Sequence, residues 1–145
     1  MQPFSIIHPQ SAEEFKDYFH FRWQQLRQPL GLPPGSEQDQ DESQSFHCMA
    51  VTDDLKIIGV GRIHQPSAGV MRIRFMAIDE CVRGMGVGSA LLKNLLEYAS
   101  LNEAELCWLN ARESACRFYQ KHGFDIIEKT DTDLNIPHFR MEKRL

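Results

Sequence analysis

The sequence predicts one domain over residues 1–145, an α/β (α+β) fold with a mixed, mostly antiparallel twisted sheet. About six to seven strands are expected, flanked by helices. Three observations predict it. Strand-like runs between Phe46 and Ile78 follow one another with only short turns between them. Two stretches, Ser11 to about Gln28 and Val87 to about Ser100, carry apolar residues at helical spacing. Short strand and helix patterns then alternate to the C-terminus.

The elements follow in order. Phe4 to His8 reads as a short strand. Ser11 followed by Glu14 reads as a capping box, in which the two side chains satisfy exposed main-chain N–H groups at a helix start. Phe15, Phe19, Trp23 and Leu26 recur along that helix, and Pro29 with Gly31 ends it. Leu30 to Ser45 reads as a loop carrying Glu37, Asp39, Asp41 and Glu42. Phe46–Thr52 and Lys56–His64 read as strands around an Asp53-Asp54 turn, and Val70–Ile78 as a longer strand. The next helix places Val87, Leu91, Leu95 and Tyr98 on one stripe, with Leu92, Leu96 and Ala99 beside it. Glu105–Asn110 is a short strand and Ser114–Lys121 a short helix, stopped by Gly123 at a position that favours a left-handed residue. Phe124–Glu128 and His138–Lys143 close the chain as strands.

Composition excludes several function classes. A formal net charge of −4 argues against non-specific nucleic-acid binding, which needs a basic surface. No apolar run reaches the length of a membrane span, and Met1-Gln2-Pro3-Phe4 lacks the features of a signal peptide. A cytoplasmic location is therefore the default expectation. Cys48, Cys81, Cys107 and Cys116 form no C-x-x-C pair and read as reduced thiols. The histidines show no ligand spacing, so no metal is expected.

The most informative stretch is Arg83-Gly84-Met85-Gly86-Val87-Gly88-Ser89, which follows a strand and opens a helix. Glycines there permit a tight turn and a close ligand approach. The helix N-terminus offers free amides and a positive dipole end, so an anion such as a pyrophosphate fits it. A dinucleotide-binding Rossmann unit does not account for it, because no acidic residue follows at a second strand end.

Arg83-x-x-Gly86-x-Gly88, joined by Asn110-Ala111 and Ala115-x-x-Phe118-Tyr119-x-x-x-Gly123-Phe124, resembles the two signatures of the GNAT superfamily of N-acetyltransferases. The match covers roughly Phe46 to Phe124, and the element order extends it over almost the whole chain. The resemblance implies acetyl-CoA as acyl donor and a primary amine, on a small molecule or a protein, as acceptor. Transfer would be direct, within a ternary complex. It implies that the backbone of Met76, Ala77 and Ile78 pairs with the pantetheine arm. Arg83 and the turn through Gly84, Met85, Gly86, Val87, Gly88 and Ser89 would hold the pyrophosphate. The strands bearing Ile78 and Asn110 would splay apart, with Asn110 bonding pantetheine and Tyr119 serving the departing thiolate. Phe118 and Phe124 read as core residues. The resemblance also implies a homodimer.

An ammonium must lose a proton before it attacks a thioester, so a base is required. Superfamily members often place a glutamate on the central strand, but Val70–Ile78 carries Arg72 and Arg74 and no carboxylate. Asp79 and Glu80 follow that strand, and His47 and His64 lie on neighbouring ones. A cysteine nucleophile is not expected, since neither Cys81 nor Cys116 has an activating partner in the sequence.

The front third resembles a branch of bacterial GNAT proteins through Arg22, Trp23, Leu26, Arg27, Pro29 and Gly31. Arg22 and Arg27 could hold a carboxylate or pair with the acidic loop. The acids read as a solvated loop with ordinary surface ion pairs, with attraction of a cationic amine as the alternative. Two further functions stay open: a longer-chain acyltransferase, as in acyl-homoserine lactone synthases, and a CoA-binding regulatory or partner-binding module without catalysis.

Overall fold

The computed structural model describes residues 3–132 and 134–145. Seven strands form one sheet: β1 (Phe4–Ile7), β2 (Phe46–Thr52), β3 (Ile57–Ser67), β4 (Val70–Ile78), β5 (Leu106–Arg112), β6 (Asp125–Thr130) and β7 (His138–Arg144). Their spatial order is β1-β2-β3-β4-β5-β7-β6. Every neighbouring pair is antiparallel except β4 and β5. The helices are α1 (Ala12–Leu26), α2 (Val87–Leu101) and α3 (Cys116–Lys121).

The expected capping box forms, with Ser11 Oγ accepting from Glu14 N at 3.0 Å and Glu14 Oε1 accepting from Ser11 N at 3.2 Å. Helix α1 ends at Leu26, two residues earlier than expected, where the chain passes into a tight 3₁₀ turn over Gln28–Leu30 with Pro29 at its centre. Its buried face also differs. Tyr18, Phe21 and Arg22 are buried, while Phe15, Phe19 and Leu26 only flank them.

Alternation along β2 divides the core. Cys48 and Ala50 face α2, whereas Met49 and Val51 face α1. Helix α2 buries Val87, Leu91, Leu92, Leu95 and Ala99 against Ile58, Ile63, Met71, Ile73 and Leu109. Glycines permit this close packing: a Cβ on Gly59 would meet Leu91 at 2.9 Å and Val87 at 3.0 Å.

Two features of β4 shape the site. Its parallel pairing with β5 covers only Val70–Arg72 against Leu106–Trp108, so both strands continue beyond with a gap between them. The register with β3 runs from Arg62–Arg74 to Val60–Ala77, leaving Phe75 and Met76 opposite the single residue Gly61. This bulge shifts the alternation. Met71 and Ile73 pack toward α2 before it, and Met76 and Ile78 after it, while Ala77 turns to α1. Phe75 takes a left-handed φ of 59°, a strained conformation for a non-glycine residue.

Candidate functional site

The gap between β4 and β5 opens into a cleft of about 1140 Å³, bounded by the start of α2, by α3, and by the turn after α1. Arg83, Gly84, Gly86, Gly88 and Ser89 line one end. Gly84 and Gly86 have φ of 79° and 86°, left-handed values that explain glycine at both places. Among the described residues no side chain caps α2, so the first-turn amides of Val87, Gly88 and Ser89 keep their hydrogens for a ligand. The Met85 amide is not among them, since it donates to Val82 O at 3.3 Å. Gly88 lies beneath Phe118, where a Cβ would approach the ring to 3.2 Å. Ser89 Oγ meets His122 Nε2 at 3.0 Å and ties the start of α2 to the end of α3.

Met76, Ala77, Ile78, Asn110 and Tyr119 all line this cleft. The three β4 residues are not equivalent. Asp79 N donates to Ile58 O at 2.9 Å on the β3 side, so alternation turns the main-chain groups of Ile78 and Met76 to the open edge. Those of Ala77 face β3 instead. Asn110 lies on β5 beyond its last residue paired with β4, also at the open edge. Tyr119 is 7 % exposed, and burial raises its phenol well above the ordinary range. Its hydroxyl bonds to no described residue. Phe118, expected in the core, is partly buried against it and also lines the cleft, while Phe124 is fully in the core.

The base candidates read from the sequence do not reach the cleft. His47 is locked beneath α1: its Nε2 donates to Glu42 O at 2.8 Å and its Nδ1 accepts from Tyr18 Oη at 2.8 Å. His64 faces Arg62 Nη2 at 3.2 Å and Asp41 Oδ2 at 3.6 Å. Burial lowers both imidazoles. The Asp79 carboxylate accepts from Cys81 N at 2.9 Å, and Glu80 is exposed. The residue that sequence reasoning missed is His138, the first residue of β7, paired in register with Arg112. Its Nδ1 donates to Ile136 O at 2.7 Å, and the residue lines the cleft.

The acidic loop is neither a solvated face nor a cation attractor. Glu42 Oε2 accepts from Arg22 Nη1 and from Arg62 Nη1, both at 2.9 Å. The two Asp39 oxygens accept from Arg62 and Arg74, each at 2.7 Å. Arg22 and Arg62 are fully buried. Glu37 is buried as well, its carboxylate held by Gly35 N at 2.8 Å and Gln38 Nε2 at 2.7 Å. The loop thus folds over the α1 face of the sheet as its ionic cover.

Burial pushes the thiols of Cys48 and Cys107 up to about 12 and also raises Cys116, so these three stay protonated. Among the described residues, no group of three or more His, Cys, Asp or Glu side chains is placed to hold a metal. No helix of the described residues is long and apolar enough to cross a membrane.

A cleft with an uncapped helix start at one end and a split parallel strand pair along its floor is what the two sequence signatures imply. The family profile described as Acetyltransferase (GNAT) domain matches residues 8–145. The chain belongs to the GNAT acetyltransferase family. Among GNAT relatives, it is 32 % identical to the uncharacterized N-acetyltransferase YjcF of Bacillus subtilis strain 168 over 134 residues. That match covers 92 % of this chain and 94 % of the relative. The fold is similar to that of Escherichia coli ElaA, with a TM-score of 0.82, 20 % identity and 99 % of both chains covered. A GNAT acetyltransferase from Elizabethkingia anophelis with acetyl-CoA bound gives a TM-score of 0.73 at 14 % identity, with 98 % of both chains covered.

Proposed function

We propose that this GNAT protein is an N-acetyltransferase that moves an acetyl group from acetyl-CoA to a primary amine by direct transfer in a ternary complex. One observation carries the reading: a single cleft joins the uncapped α2 start to the open edges of β4 and β5. The acetyl-CoA-bound structure of the Elizabethkingia relative supports the choice of donor.

The residues present fit such a donor. Arg83 and the amides of Val87, Gly88 and Ser89 bind the pyrophosphate. Gly88 keeps that approach clear, and the edge groups of Met76 and Ile78 hold the pantetheine arm as an added strand would be held. Asn110 supplies a polar contact from the opposite wall. Bound acetyl-CoA supplies an acetyl group activated as a thioester.

The chain's own groups manage the protons. His138 Nε2 takes the proton that the amine sheds as its nitrogen bonds to the acetyl carbon. Tyr119 Oη donates a hydrogen bond to the sulfur as the carbon–sulfur bond breaks. The Met76 N–H, on the open edge beside the bulge, faces the place where negative charge develops on oxygen.

Calorimetry and thiol release over an amine panel test this reading. Wild-type protein binds acetyl-CoA, and Arg83→Glu, an exposed position, weakens binding at least tenfold. His138→Gln keeps acetyl-CoA affinity and loses about 100-fold or more in turnover. Absence of acetyl-CoA binding by folded protein would overturn the reading. Binding without turnover on any amine would mark a CoA-binding module instead.

A further inference from the structure

The cleft wall is one-sided in charge. Among the described residues it contains Arg27, Arg72, Arg74, Arg83, Arg112 and Lys121, and no aspartate or glutamate. Arg83 and Lys121 belong to the end formed by α2 and α3. The other four lie across the bulge, where an acceptor would enter, and of these only Arg74 has a carboxylate of the described residues within 4 Å, from Asp39. The acidic loop is already committed: its Glu42 and Asp39 serve Arg22, Arg62 and Arg74.

Arg27 is the clearest member. It is 93 % buried, with 7 % exposure, yet it pairs with no carboxylate among the described residues. Its Nε donates to Ser36 O at 3.1 Å and its Nη1 to Leu26 O at 3.1 Å. These two bonds fix the guanidinium plane and leave Nη2 without a partner among the described residues, in a side chain that lines the cleft. Arg27 and Arg74 flank the Phe75 ring at 5.6 and 4.6 Å from its centroid. Arg72 lies over Trp108 at 4.4 Å, with a buried Nε that has no partner among the described residues. Burial and the surrounding positive charges lower Arg27, and they lower Arg72 to about 10. Such an arrangement is costly unless an anion completes it.

We infer that the acceptor amine carries a carboxylate, held by Arg27 with Arg112, so that this protein acetylates amino carboxylates in preference to neutral or polycationic amines. A planar carboxylate matches the fixed fork of an arginine, and paired arginines donate to both its oxygens. The inference rests on the acetyl-transfer reading and names its acceptor class. It also reverses the sequence-based alternative of a cationic acceptor drawn in by the acidic loop.

The experiment compares α- and ω-amino acids with their own carboxamides, by thiol release and by calorimetric titration in the presence and absence of CoA. The carboxylate member of a pair is expected to show a KM at least about tenfold lower, the effect of one charged hydrogen-bonding partner. Arg27→Gln and, separately, Arg112→Gln raise KM for the carboxylate and leave the carboxamide and acetyl-CoA affinity unchanged. Arg112, half-buried on β5, keeps the test intact if Arg27→Gln fails to fold. Equal use of both members by a protein that binds acetyl-CoA overturns the inference and leaves the transferase. Carboxylate binding without acetyl-CoA binding overturns the transferase and leaves the anion site.

Discussion

Arg22 and Arg62, on different elements and both fully buried, donate to the same oxygen, Glu42 Oε2, at 2.9 Å each. One carboxylate therefore answers two guanidiniums, and Asp39 joins the second of them to Arg74. Both arginines also lie over Phe75, Arg22 at 4.2 Å and Arg62 at 5.0 Å from its centroid. The bulge that carries Phe75 is thus held from above by cations whose charge the acidic loop balances.

Glu42→Gln is expected to be strongly destabilising. Removing one partner of a buried pair leaves uncompensated charge, which costs about 3–5 kcal/mol, and here two arginines lose their shared partner. Urea unfolding followed by circular dichroism should show the loss. A variant within about 0.5 kcal/mol of wild type would mean that the cluster is solvated and contributes little.

Acid should weaken the same cluster. Burial by itself pushes the Asp39 carboxyl up, but hydrogen bonds from Arg62 and the Asp41 amide, with the charges of Arg62 and Arg74, hold it at about 2, below its ordinary 3.8. A carboxyl depressed in the folded state gives stability that is fully present above about pH 4 and is lost as pH falls toward 2. Wild-type unfolding midpoints should drop more between pH 5 and pH 3 than those of Asp39→Asn. Parallel pH profiles would remove Asp39 as the cause.

The glycine turn, the helix it opens and the meander before it were legible because each rests on local spacing: Gly84, Gly86 and Gly88, or apolar residues one turn apart. The ionic cover was not, since Asp39 meets Arg62 and Arg74 from 23 and 35 residues away. Composition alone makes such acids look solvated. The bulge was hidden for a different reason. Strict alternation along Val70–Ile78 leaves no place for an extra residue, so the arrangement of Arg74, Phe75 and Met76 follows only from the register with Gly61. His138 stands first in its strand, and its relation to Arg112 exists only once β5 and β7 pair. Arg22 and Arg27 shared two readings in the sequence. Packing separates them, sending Arg22 to Glu42 and Arg27 to the cleft.

Gly59→Ala tests how tightly the sheet sets α2. The new methyl would meet Leu91, Val87 and Ile78 at 2.9 to 3.1 Å, and none of these is the free end of a long flexible chain. Overpacking of this kind costs about 1–3 kcal/mol, or a fall of roughly 2–10 °C in Tm for a domain this size. Because Val87 opens α2 beside the glycine turn, acetyl-CoA affinity should fall with it. A stable variant with full affinity would show that α2 can shift without disturbing its N-terminus.

Tyr119→Phe separates packing from chemistry. The ring is held edge-on by Phe118 and Phe124, at centroid distances of 5.0 and 5.7 Å, and Phe preserves both contacts. The hydroxyl bonds to no described residue, so its removal should leave stability within about 0.5 kcal/mol. Its function is proposed to be a hydrogen bond to the departing thiolate. Burial raises the phenol well above its ordinary range, so the donor is present at neutral pH. Loss of one hydrogen bond to a charged group should lower kcat about 10- to 100-fold, with KM for acetyl-CoA little changed. An unchanged kcat would leave Tyr119 as a wall of the cleft. A raised KM with kcat intact would assign the hydroxyl to binding and not to the leaving group.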